Sequence, residues 1–218
     1  MAPGVKCTFI KQLSLVMDIM IGAQLTDTQK SQLKEYAKEH SLLDEIGEKV
    51  VKGIITSGNT DDINPMVARN VYNKALELTK RDTYQAMEAL IHNLNTMNSR
   101  AGAQIPFSSI NYGTDTSPEG RMVMKCLLDA TDAGLGGGET PIFPIQIFKV
   151  KEGINYNPGD VNYDLFKLAC RVSAKRLFPN FSFIDAPYNL QYYKDGQPDT
   201  EVAYMGCRTR VIGNVHDK

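Results

Sequence analysis

Apolar residues recur at helical spacing through roughly the first hundred positions and then gather into short β-like runs, so the chain reads as helices followed by alternating strands and helices. Phe9, Leu13, Val16, Met17 and Met20 fall on one helical face, and Gly22 supplies a stop. Thr26 or Asp27 caps a second helix containing QKSQLKEYAKEH, whose polar surface predicts exposure to solvent. Leu42, Leu43, Ile46, Val50, Ile54 and Ile55 line a third, which ends near the SGNTDD loop. Asn64-Pro65 has the form of an N-cap followed by proline at the first helical position, opening a fourth helix with Val67, Val71, Tyr72, Ala75 and Leu76 buried. Asp82 is expected to cap a fifth, with Tyr84, Met87, Leu90, Ile91 and Leu94 as its apolar stripe.

The pattern changes after Asn98. Residues 104–112, QIPFSSINY, read as a strand with serine and asparagine interleaved, followed by the turn-rich GTDTSPEG and a helix over about 118–130. After the loop AGLGGGETP, residues 142–150 are the most strand-like run in the chain. A helix over 163–176, with Leu165, Leu168, Ala169 and Val172 inward, and short strands over 181–184 and 202–205 complete the series. Strands alternating with helices predict an α/β arrangement with parallel strands in this half. The expected organisation is therefore a helical region over 1–98 and an α/β portion over 99–218, forming one interdependent unit. Polar residues on an interior strand such as SSIN require partners, which makes that strand a place to expect a ligand.

Composition narrows the classes. Hydrophobic residues make up 42% and charged residues 22%, as in ordinary globular proteins, so disorder is not expected. The apolar run 13–21 is interrupted by Asp18, and the N-terminus has no signal-peptide pattern, so the reading is a cytoplasmic protein with no membrane partner. A net charge of −1 gives no reason to expect nucleic acid as a partner. Cys7, Cys126, Cys170 and Cys207 form neither a CxxC pair nor a zinc knuckle and read as reduced thiols. His40, His92 and His216 match no ligand spacing, and no metal is expected in this chain.

Three stretches carry candidate chemistry. Gly134 to Gly138 invites a phosphate-loop reading, but there is no GxxxxGK[ST] and the order is helix, glycines, strand, the reverse of phosphate-binding turns; it reads as a flexible connection. Ser108, Ser109 and Asn111 have no neighbouring His or Lys to activate a hydroxyl, which disfavours a hydrolytic nucleophile. EVAYMGCRTRV places Cys207 after an apolar strand and a glycine and before Arg208 and Arg210. The arginines would favour a thiolate, while a cysteine after a strand is also an ordinary buried small residue.

Longer runs go further. HNLNTMNSRAGAQIPFSSINYGTDTSPEGR (92–121), GGGETPIFPIQIFKVKEGIN (136–155), AYMGCRTRV (203–211) and APGV near the start resemble, in order, segments of the class III anaerobic ribonucleoside-triphosphate reductases. The resemblance implies part of a ten-stranded α/β barrel of the glycyl-radical type, preceded by a helical layer. It implies conversion of ribonucleoside triphosphates to deoxyribonucleoside triphosphates, with Cys207 as the thiyl-radical cysteine at the tip of a finger loop. Asn98, Ser99, Arg100, Gln104, Ser108 and Ser109 become candidates for the barrel lining near substrate. ATP and deoxynucleotide effectors, a homodimer built partly from the helical layer, and a radical-SAM, iron–sulfur activase are the partners it implies.

No RVCGY-like glycyl-radical segment and no paired-cysteine zinc ribbon occur in the sequence; both would lie beyond residue 218, and an ATP-cone and first barrel strand would precede Met1. The expectation is an internal section without a cofactor of its own, inactive alone. The alternatives are a non-catalytic nucleotide-binding remnant and, more distantly, a related glycyl-radical lyase.

Overall fold

The computed structural model describes residues 2–57, 63–98, 104–194, 197, 200–206 and 209–212. The chain divides into two compact units, one of residues 1–86 and 117–123, the other of 87–116 and 124–218.

The first unit is helical. α1, Ala2–Ile21, ends where Gly22 takes φ 65 and donates its N–H to the Asp18 carbonyl at 3.0 Å, a closure that glycine makes without steric cost. α2, Asp27–Glu39, opens on a capping box: Thr26 Oγ1 accepts from Gln29 N at 3.2 Å, and Gln29 Oε1 accepts from Thr26 N at 2.9 Å. α3, Glu45–Ser57, starts later than its apolar pattern suggests, because Asp44 caps it through Gly47 N at 2.6 Å. Val51 and Ile55 are buried, while Ile46, expected inward, is exposed. α4, Pro65–Thr96, begins as expected with Asn64 Oδ1 accepting from Met66 N at 2.9 Å. It is one helix of 32 residues, not two. Asp82 caps nothing and instead accepts a hydrogen bond from the Gln12 amide. No glycine or proline interrupts the sequence after Pro65, and Thr79 and Thr83 return their hydroxyls to the carbonyls four residues back, so nothing breaks the helix. Phe9, Leu13, Met17, Leu33, Leu42, Val51, Ile55, Val71 and Tyr72 form the core of this unit.

Tyr72 is 2% exposed and donates to the Leu42 carbonyl at 3.0 Å. Burial first, then the carboxylates of Glu48, Asp44 and Glu119, push its phenol well above the ordinary value of 10.0. Because the folded value is the higher one, the stabilisation is complete below the unfolded value and is lost as pH rises from 10.0 towards the folded value. Unfolding free energy measured from about pH 9 to pH 12 should fall with rising pH, and Tyr72→Phe should lessen that fall. Equal slopes in the two proteins would remove Tyr72 from the linkage.

The second unit contains a sheet. β1, Ser109–Tyr112, β2, Ile145–Val150, and β3, Asn180–Phe183, pair in parallel in the order β1-β2-β3. α5, Pro118–Ala133, crosses from β1 to β2, and α6, Tyr163–Arg176, from β2 to β3. The parallel α/β reading is correct and the α6 boundaries are those expected, whereas regular pairing of β1 begins only at Ser109. After the short α7, Pro187–Leu190, β4, Ala203–Met205, and β5, Thr209–Val211, form a separate antiparallel pair. The fold is mixed helix and sheet, and no closed barrel is present among the described residues.

Candidate functional site

Strand pleating sorts the sheet into two unlike faces. The register places Ile110, Tyr112, Phe148, Val150 and Phe181 on one face. There Phe148 and Val150 pack with Met124, Leu128, Leu165, Ala169 and Val172 of α5 and α6. The one buried polar residue of β2 on that side, Gln146, is satisfied by Thr131 Oγ1 at 2.8 Å and the Tyr112 hydroxyl at 2.7 Å. The other face carries Ser109, Asn111, Lys149 and Ser182 beside Ile145 and Ile147. Helices cover the apolar face; the polar face is where this fold has chemistry to offer.

The chain around β4 lies against that polar face. Asn111 Nδ2 donates to the Tyr204 carbonyl at 2.7 Å and its Oδ1 accepts from Tyr204 N at 2.9 Å. Ser109 Oγ accepts from Gly206 N at 3.2 Å. Lys149 and Glu201 form a largely buried ion pair at 2.8 Å, with Lys151 3.7 Å from the second carboxylate oxygen. Farther along, Arg210 donates to the Tyr188 carbonyl at 2.7 Å and lies 5.6 Å from that ring's centre. Gly206 adopts φ 63, and an added Cβ would stand 3.3 Å from the Phe107 ring, which explains the glycine. Ser182 is 5% exposed and its hydroxyl has no hydrogen-bond partner among the described residues; the same holds for the buried Ser108 hydroxyl.

The candidate residues fare differently. Asn98 is exposed just beyond α4, Gln104 is exposed ahead of β1, and Ser108 and Ser109 are half-buried. Ser109 is brought to Gly206, the residue before Cys207, across 97 positions of sequence. Cys207, Ser99 and Arg100 lie outside the described residues. Lys149, Glu201 and Ser182 were not among the candidates, and Asn111, singled out with Ser108 and Ser109 as a polar group, was not among those placed near substrate. The signal for Lys149 was a lone charge inside the apolar run IQIFKV, and for Asn111 its two-residue spacing from Ser109.

The glycine loop is tied down, where a flexible connection was expected. Arg176, 9% exposed, donates to the carbonyls of Asp132, Ala133 and Gly138 at 2.6 to 3.0 Å. Leu135 N bonds to the Glu139 carbonyl at 2.9 Å, and Gly137 N to the Glu139 carboxylate at 3.0 Å. Among the described residues no group of three His, Cys, Asp or Glu side chains is placed to hold a metal ion, and no helix is long and apolar enough to cross a membrane.

Comparison with known proteins agrees with the longer sequence runs. A family model described as anaerobic ribonucleoside-triphosphate reductase matches residues 6–217. A protein of that name from Enterobacteria phage T4 is 36% identical over 150 residues, 68% of this chain and 24% of its own length. Proteins of the same name from Haemophilus influenzae and Escherichia coli K12 are 34% and 35% identical over 62% and 60% of this chain, and 18% and 17% of theirs. The chain thus spans about a quarter or less of the length of these curated relatives.

Proposed function

This chain belongs to the anaerobic ribonucleoside-triphosphate reductase family, and from that premise we propose that it is the section of such an enzyme that presents the substrate-facing cysteine. The reaction is reduction of a ribonucleoside triphosphate to the deoxyribonucleoside triphosphate. Cys207, as a thiyl radical, takes the 3′ hydrogen of the ribose, the 2′ hydroxyl leaves as water, and an external reductant supplies two electrons and two protons before the hydrogen returns to C3′. A glycyl radical, generated outside this chain by a radical-SAM activase, supplies the oxidising equivalent that converts the thiol to the thiyl. The three parallel strands are part of the ten-stranded barrel in this reading, with the polar face of the sheet turned to the barrel interior. Asn98, Ser99, Arg100, Gln104, Ser108 and Ser109 are its substrate-side candidates. The helical layer contributes to a homodimer and to an ATP and deoxynucleotide effector site, a zinc ribbon lies in another part of the enzyme, and the assembled enzyme works in the cytoplasm.

The observation that carries this reading is the family match from residue 6 to 217, which includes the run around Cys207. A sheet with one helix-covered apolar face and one polar face, against which the approach to Cys207 is held, supports it. Radical transfer needs a cysteine kept at a fixed distance from the sugar, so geometric restraint matters more than a low thiol pKa. The test is a reductase assay on the 218 residues alone and on an enzyme carrying them together with the glycyl-radical segment, each with activase and reductant. The chain alone should form no deoxynucleotide and the longer enzyme should. Product from the chain alone would overturn the division of roles. A longer enzyme showing its glycyl-radical signal but reducing no ribonucleoside triphosphate would overturn the function, and effector binding without reduction would favour a nucleotide-binding remnant.

A further inference from the structure

β1 and β4 meet through side chains. The main-chain ladders join β1 to β2 and β4 to β5. Between β1 and β4, Asn111 uses both halves of its amide on Tyr204, at 2.7 and 2.9 Å, and Ser109 receives Gly206 N at 3.2 Å. Residues 109 and 111 of one strand therefore face 206 and 204 of the other, an antiparallel correspondence with a step of two on both sides. Side chains alternate between the faces of a strand, so a slip of β4 by a single residue would break all three bonds. The amide is also directional: it donates to one main-chain group of Tyr204 and accepts from the other, which a carboxylate of the same shape cannot do. The Lys149–Glu201 ion pair holds the chain two residues ahead of β4 to the same face of the sheet.

We infer that Asn111 and Ser109 are positioning residues of the reductase chemistry: they set the register of β4 and Gly206, and through Gly206 the point from which the chain enters Cys207. The inference rests on the reductase reading proposed above. It assigns to these two polar strand residues a partner in the main chain of the cysteine-bearing segment.

The test uses the radical-loaded holoenzyme that contains this chain. Asn111→Asp keeps the volume but sets an acceptor against the Tyr204 carbonyl. It should lower kcat about 100-fold, the cost of a misplacement on the order of 1 Å, with KM changed less than about twofold and the glycyl-radical signal at its normal amplitude. Exchange of the Tyr204 and Gly206 amide hydrogens should quicken about tenfold or more. Ser109→Ala removes a single acceptor and keeps the proposal testable if the first variant fails to fold. It should lower kcat in the same sense, and Ser109→Thr, which keeps the hydroxyl, should restore it. Unchanged kcat in Asn111→Asp and Ser109→Ala beside an active parent, or a loss that Ser109→Thr shares, would overturn the positioning role. An inactive parent with a normal glycyl-radical signal would overturn the reductase reading instead.

Discussion

Replacing Cys207 by serine in an enzyme that carries this chain and its glycyl-radical segment should abolish deoxynucleotide formation while leaving radical generation and substrate affinity intact. The substitution exchanges a single atom, sulfur for oxygen, so it tests the chemistry of the group with little change of size. The hydroxyl hydrogen is held far more tightly than a thiol hydrogen, and a glycyl radical cannot take it at a useful rate. The expected loss in kcat is about 10⁴-fold or more, the scale associated with removing a group that reacts covalently. Two measurements on one sample decide the matter: the paramagnetic signal of the glycyl radical after activation, and labelled deoxynucleotide after addition of substrate. A full radical signal with no product supports the assignment. Turnover within an order of magnitude of the parent would mean that another group abstracts the hydrogen. The same measurement separates Cys207 from Cys7, Cys126 and Cys170, none of which forms a disulfide among the described residues; their serine variants should remain active.

Glu119→Ala should strongly destabilise the first unit. Glu119 lies in the first turn of α5 and is fully buried. Its carboxylate accepts from Ser41 Oγ at 2.9 and 3.0 Å and from Leu42 N at 3.0 Å. Leu42 is itself fully buried, and its carbonyl receives the Tyr72 hydroxyl, so one acidic side chain organises the turn that leads into α3. Removing it leaves a buried main-chain N–H and a serine hydroxyl without their acceptor, a loss of about 3 kcal/mol. For a chain of this size that is roughly 10 °C in Tm. Glu119→Gln retains a carbonyl acceptor for Leu42 N and should cost about 1 kcal/mol. Chemical or thermal unfolding of the three proteins tests this order. An alanine variant within about 0.5 kcal/mol of the parent, the range of an ordinary surface substitution, would show that the carboxylate is not what holds the turn.

Helix termini were legible because their signals are local. Thr26 with Gln29, Asn64 with Pro65, and Gly22 each act through groups within four residues, and each does in the structure what its type predicts. The expected helix start at Asp82 fails for the same kind of reason. A capping residue needs a chain that has left helical geometry just before it, and residues 66–81 contain no glycine or proline to make it leave. In α3 the cap at Asp44 set the start of the helix, and packing against the rest of the unit buried Val51 and left Ile46 exposed.

The polar strand was harder to read. SSIN announced that β1 needed partners, and a ligand was one way to supply them. What the structure places there is the main chain of residues 204 and 206, 93 and 97 positions away. Arg176 is similar: its position in the last turn of α6 was plain, but its hold on the end of α5 and the glycine loop depends on segments 38 to 44 residues distant.

From the sequence alone came most of the helices, the caps at Thr26 and Asn64, the parallel strands, the family and the cysteine on which the proposed chemistry turns. These follow from side-chain periodicity, from hydrogen bonds closed within a turn, and from long runs of matching residues. Tertiary structure alone decided which face of the sheet the helices bury and which segment satisfies the polar groups on the other. A strand's pleat specifies that alternate residues share a face, but what lies across that face is set by packing between parts of the chain far apart in sequence.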